Sequence, residues 1–158
     1  MIRIALAVLV ALMLAAPARA GLSDPLPAPF TKHVFSVPGV VNDGAATVIS
    51  CTNALLTSLN VGVEWFRKNG TSIAVSSLTI PAGQTRNFVS ATVNWLSAGG
   101  GVDATMSPNE NLMSGTARVL STTSSGLLCN AYAVDASNNP PQRMMALLVT
   151  APKKQKGQ

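Results

Sequence analysis

The run SLNVGVEWFRK, residues 58–68, constrains this chain more than any other stretch. Leu59, Val61, Val63 and Trp65 fall on one parity, and Asn60, Gly62, Glu64 and Phe66 on the other. A period of two fits a strand with one buried face; a helix would repeat its apolar positions every three to four residues. Asn69-Gly70 follows at once, a pair suited to a two-residue hairpin turn because both residues accept positive φ. The partner strand is then 71–80, but its phase slips. Ile73 and Val75 share a face, whereas Leu78 and Ile80 fall on the other. One extra residue near Ser76 or Ser77 would repair this, so a β-bulge is predicted there.

The same pattern recurs along the chain. Residues 32–41 are rich in valine and phenylalanine, with a kink at Pro38-Gly39, and Asn42-Asp43-Gly44 is a turn. Residues 46–53 alternate, with Thr47, Ile49 and Cys51 on one face. After a turn at 81–84 come a β-rich run at 85–95, a glycine loop at 97–101 and an irregular stretch at 102–114. Strands follow at 115–122, 127–135 and 143–150; the second puts Leu127, Cys129, Ala131 and Ala133 on one face. No stretch beyond the first twenty residues sustains a helical period. Short strands bounded by turn residues indicate an all-β, antiparallel sandwich, with a β-barrel as the alternative.

The first twenty residues belong to a different grammar. Arg3 precedes an uncharged aliphatic run, Pro17 breaks it, and Ala18-Arg19-Ala20 offers the small-x-small site of a secretory signal peptide. The apolar run is short for a membrane span, and no later stretch is long and apolar enough to cross. The expected organisation is a signal peptide at 1–20, a Pro-rich leader at 21–30, a β-sandwich domain at 31–151 and a basic tail at 152–158. The mature chain is expected in the periplasm or outside the cell.

Charge narrows the partners. The chain has 11 Lys and Arg against 6 Asp and Glu. Arg3 and Arg19 leave with the signal, and Lys153, Lys154 and Lys156 crowd the tail, so the body between is neutral. A neutral body is a poor nucleic-acid ligand, because phosphate binding needs clustered cations that release counterions. Envelope polymer or another exported protein remains as the partner class. The tail lysines could contact anionic lipid or cell-wall polymer, or serve only as a solubilising terminus.

The only cysteines, Cys51 and Cys129, read as one disulfide in an oxidising compartment, with two free thiols or an intermolecular bridge as the other readings. Cys51 lies on the apolar face of an early strand, Trp65 on that of the next, and Cys129 on the small-residue face of a late one. This arrangement resembles the immunoglobulin-like sandwich superfold over residues 31–151. The resemblance implies a disulfide pinning one sheet to the other, with the indole nearby. That superfold carries a tyrosine two residues before its second cysteine; here Leu127 holds that position and Tyr132 comes three residues after.

Residues able to do chemistry are few. His33 is the only histidine, and no serine sits in a G-x-S-x-G elbow, so a Ser-His-Asp triad would have to use His33. No metal site or cofactor is expected from one imidazole and two oxidised cysteines. Asp103 and Glu110 share the irregular loop and are the one pair of acids placed for glycoside hydrolysis. With Asn109 and Asn111 they could also offer oxygens to calcium, although no EF-hand spacing is present. Asn69-Gly70-Thr71 matches an N-glycosylation acceptor and equally a turn. Trp95, beside the glycine loop, could stack on a sugar or dock a partner. The expectation is an exported, non-enzymatic module with a binding, adhesive or structural role in the envelope. A pilus or surface-fibre subunit and a small secreted hydrolase are the alternatives.

Overall fold

The computed structural model describes residues 25–93, 96, 101–107 and 111–152. Among these residues nine strands are divided between two sheets: β1 (Lys32–Val40), β2 (Ala46–Asn53), β3 (Leu59–Arg67), β4 (Ser72–Ile80), β5 (Thr85–Val89), β6 (Ala104–Thr105), β7 (Gly115–Ser121), β8 (Leu127–Val134) and β9 (Met144–Leu147). One sheet has the order β1-β7-β3-β4 and the other β6-β5-β2-β8-β9. Every pairing is antiparallel except the short β5–β6 contact. The result is a two-sheet sandwich and not a closed barrel. Its interior is built from the faces the alternation marks: Ile49 and Cys51 from β2, Val61, Val63 and Trp65 from β3, Val119 from β7, Ala131 from β8.

The predicted bulge in β4 lies elsewhere. Residues 74–80 pair in unbroken register with β3, and the shift falls between Trp65 and Phe66, which face Ala74 and Ser72 and leave Ile73 as the extra residue. Opposite Leu59, Val61, Val63 and Trp65, the inward residues of β4 are Ile80, Leu78, Ser76 and Ala74. The apolar pattern breaks because Ser76 occupies a core position. Its hydroxyl accepts the indole N–H of Trp65 at 3.2 Å and donates to the Thr105 carbonyl at 3.1 Å. A buried indole needs an acceptor, and that need placed a serine where the alternation expects an apolar residue. Val75 turns outward in consequence and is 40% exposed.

The β3–β4 turn is also corrected in detail. Only Gly70 has positive φ, at 84°, and its N–H bonds the Arg67 carbonyl at 2.9 Å. The chain thus makes a four-residue turn ending in a left-handed glycine, with Asn69 accepting the Thr71 N–H through its side chain. The kink in β1 is where Pro38-Gly39 placed it, as a register irregularity between Pro38 and Val40. The run expected over 85–95 stops as a strand at Val89, and β6 emerges from the stretch read as irregular.

The disulfide forms, but not between the sheets. Cys51 and Cys129 face each other on adjacent strands β2 and β8, with Cα atoms 4.2 Å apart. It staples one sheet laterally, and the expected rivet through the core is absent. The two sheets are joined by packing and by contacts at their margins. At one margin Ser36 of β1 and Thr150 exchange two backbone hydrogen bonds, at 2.7 and 3.0 Å. At the other, Ser76 reaches across to Thr105.

Both outer faces are partly covered. On the four-stranded sheet, Arg118 of β7 is buried against Glu64 of β3, Nε to Oε2 at 2.6 Å. Ser72 donates to the other carboxylate oxygen at 2.7 Å, and the guanidinium stands 5.3 Å from the Phe66 ring centre. Residues 25–30, the described part of the Pro-rich leader, lie over this face. The Pro25 carbonyl accepts from Arg118 at 3.3 Å, and the Phe30 ring rests on Gly62 so closely that an added Cβ would meet it at 2.5 Å. On the five-stranded sheet, Ala46, Val48, Val89 and Val134 form a second apolar cluster with Val93 and Leu96.

Candidate functional site

The residues read as candidates for chemistry divide into those the fold uses and those outside the described chain. His33 Nε2 sits 2.9 Å from the Phe35 carbonyl and 3.0 Å from Ser36 Oγ. A carbonyl only accepts, so Nε2 carries the proton and cannot act as a base toward Ser36. Burial lowers the His33 pKa from 6.5; the Phe35 carbonyl pulls upward, Arg118 downward and Glu64 upward. Asp103 is an anchor for β6. Its carboxylate pairs with Arg86 at 3.3 Å and accepts the Asn87 N–H at 2.8 Å. Trp95, Asn109 and Glu110 lie outside the described residues, as does the segment 1–20 expected to be a signal peptide, and with Glu110 the acid pair falls outside them too. Among the described residues no three metal-ligating side chains gather, and no helix is long and apolar enough to cross a membrane. Asn111 is exposed.

A different region stands out. Among the described residues seven large apolar side chains are exposed, and four of them, Leu128, Met144, Met145 and Leu148, belong to β8, β9 and the residue after β9. They are 58–65% exposed, a concentration of apolar surface at one margin of the five-stranded sheet. The cause is strand order. β9 pairs with β8 on one side only, so a sequence that would suit a central strand lies at an edge. The final run RMMALLVT is apolar enough to signal burial on both faces; sequence patterning reveals faces but not neighbours, and so missed this.

Backbone parity defines what the edge offers. Val134 faces Met144, Ala133 faces Met145, and the Asp135 N–H bonds the Arg143 carbonyl at 3.1 Å. In an antiparallel pair the bonded residues alternate. Arg143, Met145 and Leu147 therefore turn their backbone groups to β8, and Met144, Ala146 and Leu148 turn theirs outward. Thr150 continues that outward row and gives its groups to Ser36 of β1. In continuing register the next residue of β1 to face it is Pro38, which has no N–H to give, and β1 departs into its own sheet.

Beside the start of β9 lies an open depression of about 410 Å³, walled by Gly44, Ala45, Asp135, Arg143, Met144 and Met145. That is within the size range of small ligand sites. Asp135 accepts from Ser137 and Asn138, which hold its carboxyl below the usual range, the Asn138 amide first. Arg143 is exposed at the rim. No family model matches the chain, and no curated protein or solved structure does either.

Proposed function

We propose that this chain is an exported, non-catalytic β-sandwich module that works in the cell envelope by presenting a binding surface. The observation that carries the reading is the exposure of Met144, Met145 and Leu148 on and just after the edge strand β9, the two methionines also lining the 410 Å³ depression. Large apolar side chains left exposed at an edge are a feature of interaction sites, and flexible methionines suit contacts with other proteins. Supporting it, the described candidates for acid–base chemistry are held in structural contacts: His33 to its own strand and Asp103 to Arg86.

The fibre alternative in its donor-strand form requires residues 31–41 to be available to another subunit. β1 instead pairs along β7 in its own sheet, with Val37 and Val40 fully buried, so the self-contained module is preferred. The test is to immobilise the purified chain and probe it with envelope polymers and exported proteins. Binding that is lost on Met144→Asp with Leu148→Asp is expected. Turnover of a glycoside that vanishes on Asp103→Asn would replace this reading with the hydrolase.

A further inference from the structure

The start of β9 sets two opposite charges face to face and leaves them unjoined. Asp135 and Arg143 lie one step past the last β8–β9 pair, Val134 and Met144, and the Asp135 N–H bonds the Arg143 carbonyl at 3.1 Å. Opposite charges so placed are close enough to pair, yet no Asp135–Arg143 ion pair forms; the ion pairs among the described residues are Arg86–Asp103 and Arg118–Glu64. The carboxylate is turned back into the loop after β8. Ser137 bonds its Oδ1 through both N–H and hydroxyl, each at 3.1 Å, and the Asn138 amide bonds its Oδ2. Arg143 is exposed, and its guanidinium has no hydrogen-bond or ion-pair partner among the described residues.

Both residues wall the 410 Å³ depression, together with Gly44, Ala45, Met144 and Met145. Gly44 and Ala45 bring no long side chain into it, and the two methionines are 58% and 62% exposed. The depression thus holds a separated cation and anion beside an apolar, adaptable shelf. A simple anion would meet Arg143 but also the Asp135 carboxylate, and a simple cation would meet the reverse. A ligand carrying both charges satisfies both. We propose that this depression binds a zwitterion with an apolar side chain, a free α-amino acid or a short peptide with both ends free. Its carboxylate lies on Arg143, its ammonium on Asp135 and its side chain against Met144 and Met145. Asp135 has room to accept, because Oδ2 has one described donor and a carboxylate oxygen takes two. This rests on the binding-module reading and names a ligand class for its surface.

The probes are leucine and leucyl-leucine, each also in N-acetylated and in C-amidated form, titrated into the purified chain and followed by amide NMR. Saturable binding of at least one zwitterion is expected, with shifts gathered at Gly44, Asp135, Arg143 and Met144; which of the two binds tells free amino acid from peptide. Acetylation and amidation should each weaken binding about threefold to fivefold, as the loss of one exposed charge pair does. Arg143→Gln should weaken the zwitterion by the same factor and leave the amidated form unchanged, since that form has no carboxylate to lose. Asp135→Asn should weaken the zwitterion and leave the acetylated form unchanged. A merely structural role would lower all forms alike. The Arg143 side chain has no described partner to lose, so its variant should keep the fold; if Asp135→Asn loosens the loop, the Arg143→Gln titrations carry the test. No saturable binding of either zwitterion, equal affinity for the capped forms, or unchanged affinity in Arg143→Gln would each overturn the proposal. If that happens while an envelope polymer or exported protein is still captured, the module reading stands. Catalytic turnover overturns the module reading instead.

Discussion

Replacing Arg118 with methionine tests how the outer face of the four-stranded sheet is held. The guanidinium side chain is 1% exposed and its Glu64 partner 8%, so neither ion is solvated as it would be on a surface. Methionine leaves the carboxylate buried with the Ser72 hydroxyl as its remaining described hydrogen-bond donor, and also removes the contact with Phe66. Losing one member of a buried pair costs about 3–5 kcal/mol, because an uncompensated charge remains. For a domain of this size that lowers the melting temperature by about 10 °C or more. The double variant Arg118→Met with Glu64→Leu removes both charges and should return to within about 1 kcal/mol of the parent, or exceed it. With Glu64→Leu alone costing about as much as Arg118→Met, the cycle predicts a coupling of about 5 kcal/mol or more, read from urea melts followed by circular dichroism. The single-variant loss should persist in 1 M salt, since buried charges are poorly screened. A loss below about 1 kcal/mol, or a double variant as weak as the two singles summed, would refute this account.

Other substitutions probe the remaining features. Ser76→Ala deprives the buried Trp65 indole of its acceptor and should cost about 1–3 kcal/mol in the same melts. Gly115→Ala would drive a Cβ into the Phe66 carbonyl and within 2.8 Å of Leu112; because backbone must move, a loss of about 1–3 kcal/mol is expected. His33 has a folded pKa below 6.5, so the unfolded chain takes up the proton first as pH falls. Stability from neutral His33 is complete above 6.5 and drains away as pH falls from there through the folded value; melts at pH 7.5 to 5 should show a slope that His33→Gln reduces. Reducing the disulfide reopens a loop of 78 residues, worth about 4.5 kcal/mol in the chain-entropy model. The melting temperature should drop while the far-ultraviolet spectrum at 25 °C is kept, since both cysteines lie in one hydrogen-bonded sheet.

Much of this architecture was legible because alternation is a local signal. β2 runs from Ala46 to Asn53, where the pattern placed it, and the inward faces of β3 and β8 are those marked by Leu59 to Trp65 and by Leu127 to Ala131. Failures arise where a side chain answers to something distant in sequence. Ser76 is inside because Trp65 needs an acceptor, and a period-two reading has no way to weigh that pairing. Glu64 and Arg118 both lie on the face opposite the core residues, and only the β3–β7 register brings them together. The cysteines were readable as a pair, but whether they span sheets or join neighbours depends on strand order. The candidate edge was hidden for the same reason: MMAL reads as buried until β9 is seen to have one neighbour.

The lateral disulfide bears on that edge. β8 is the only strand of the sheet that supports β9, and β8 is fixed covalently to β2 at Cys129. Ordering a strand costs about 1–2 kcal/mol per residue in backbone entropy. A four-residue strand with one neighbour gains few backbone bonds and has little to offset such a loss. Stapling β8 to the central strand β2 holds β9's one neighbour in register. The bond therefore fixes strand order within one sheet, while the sandwich itself is closed by packing around Trp65 and by the Ser36–Thr150 and Ser76–Thr105 contacts at its margins.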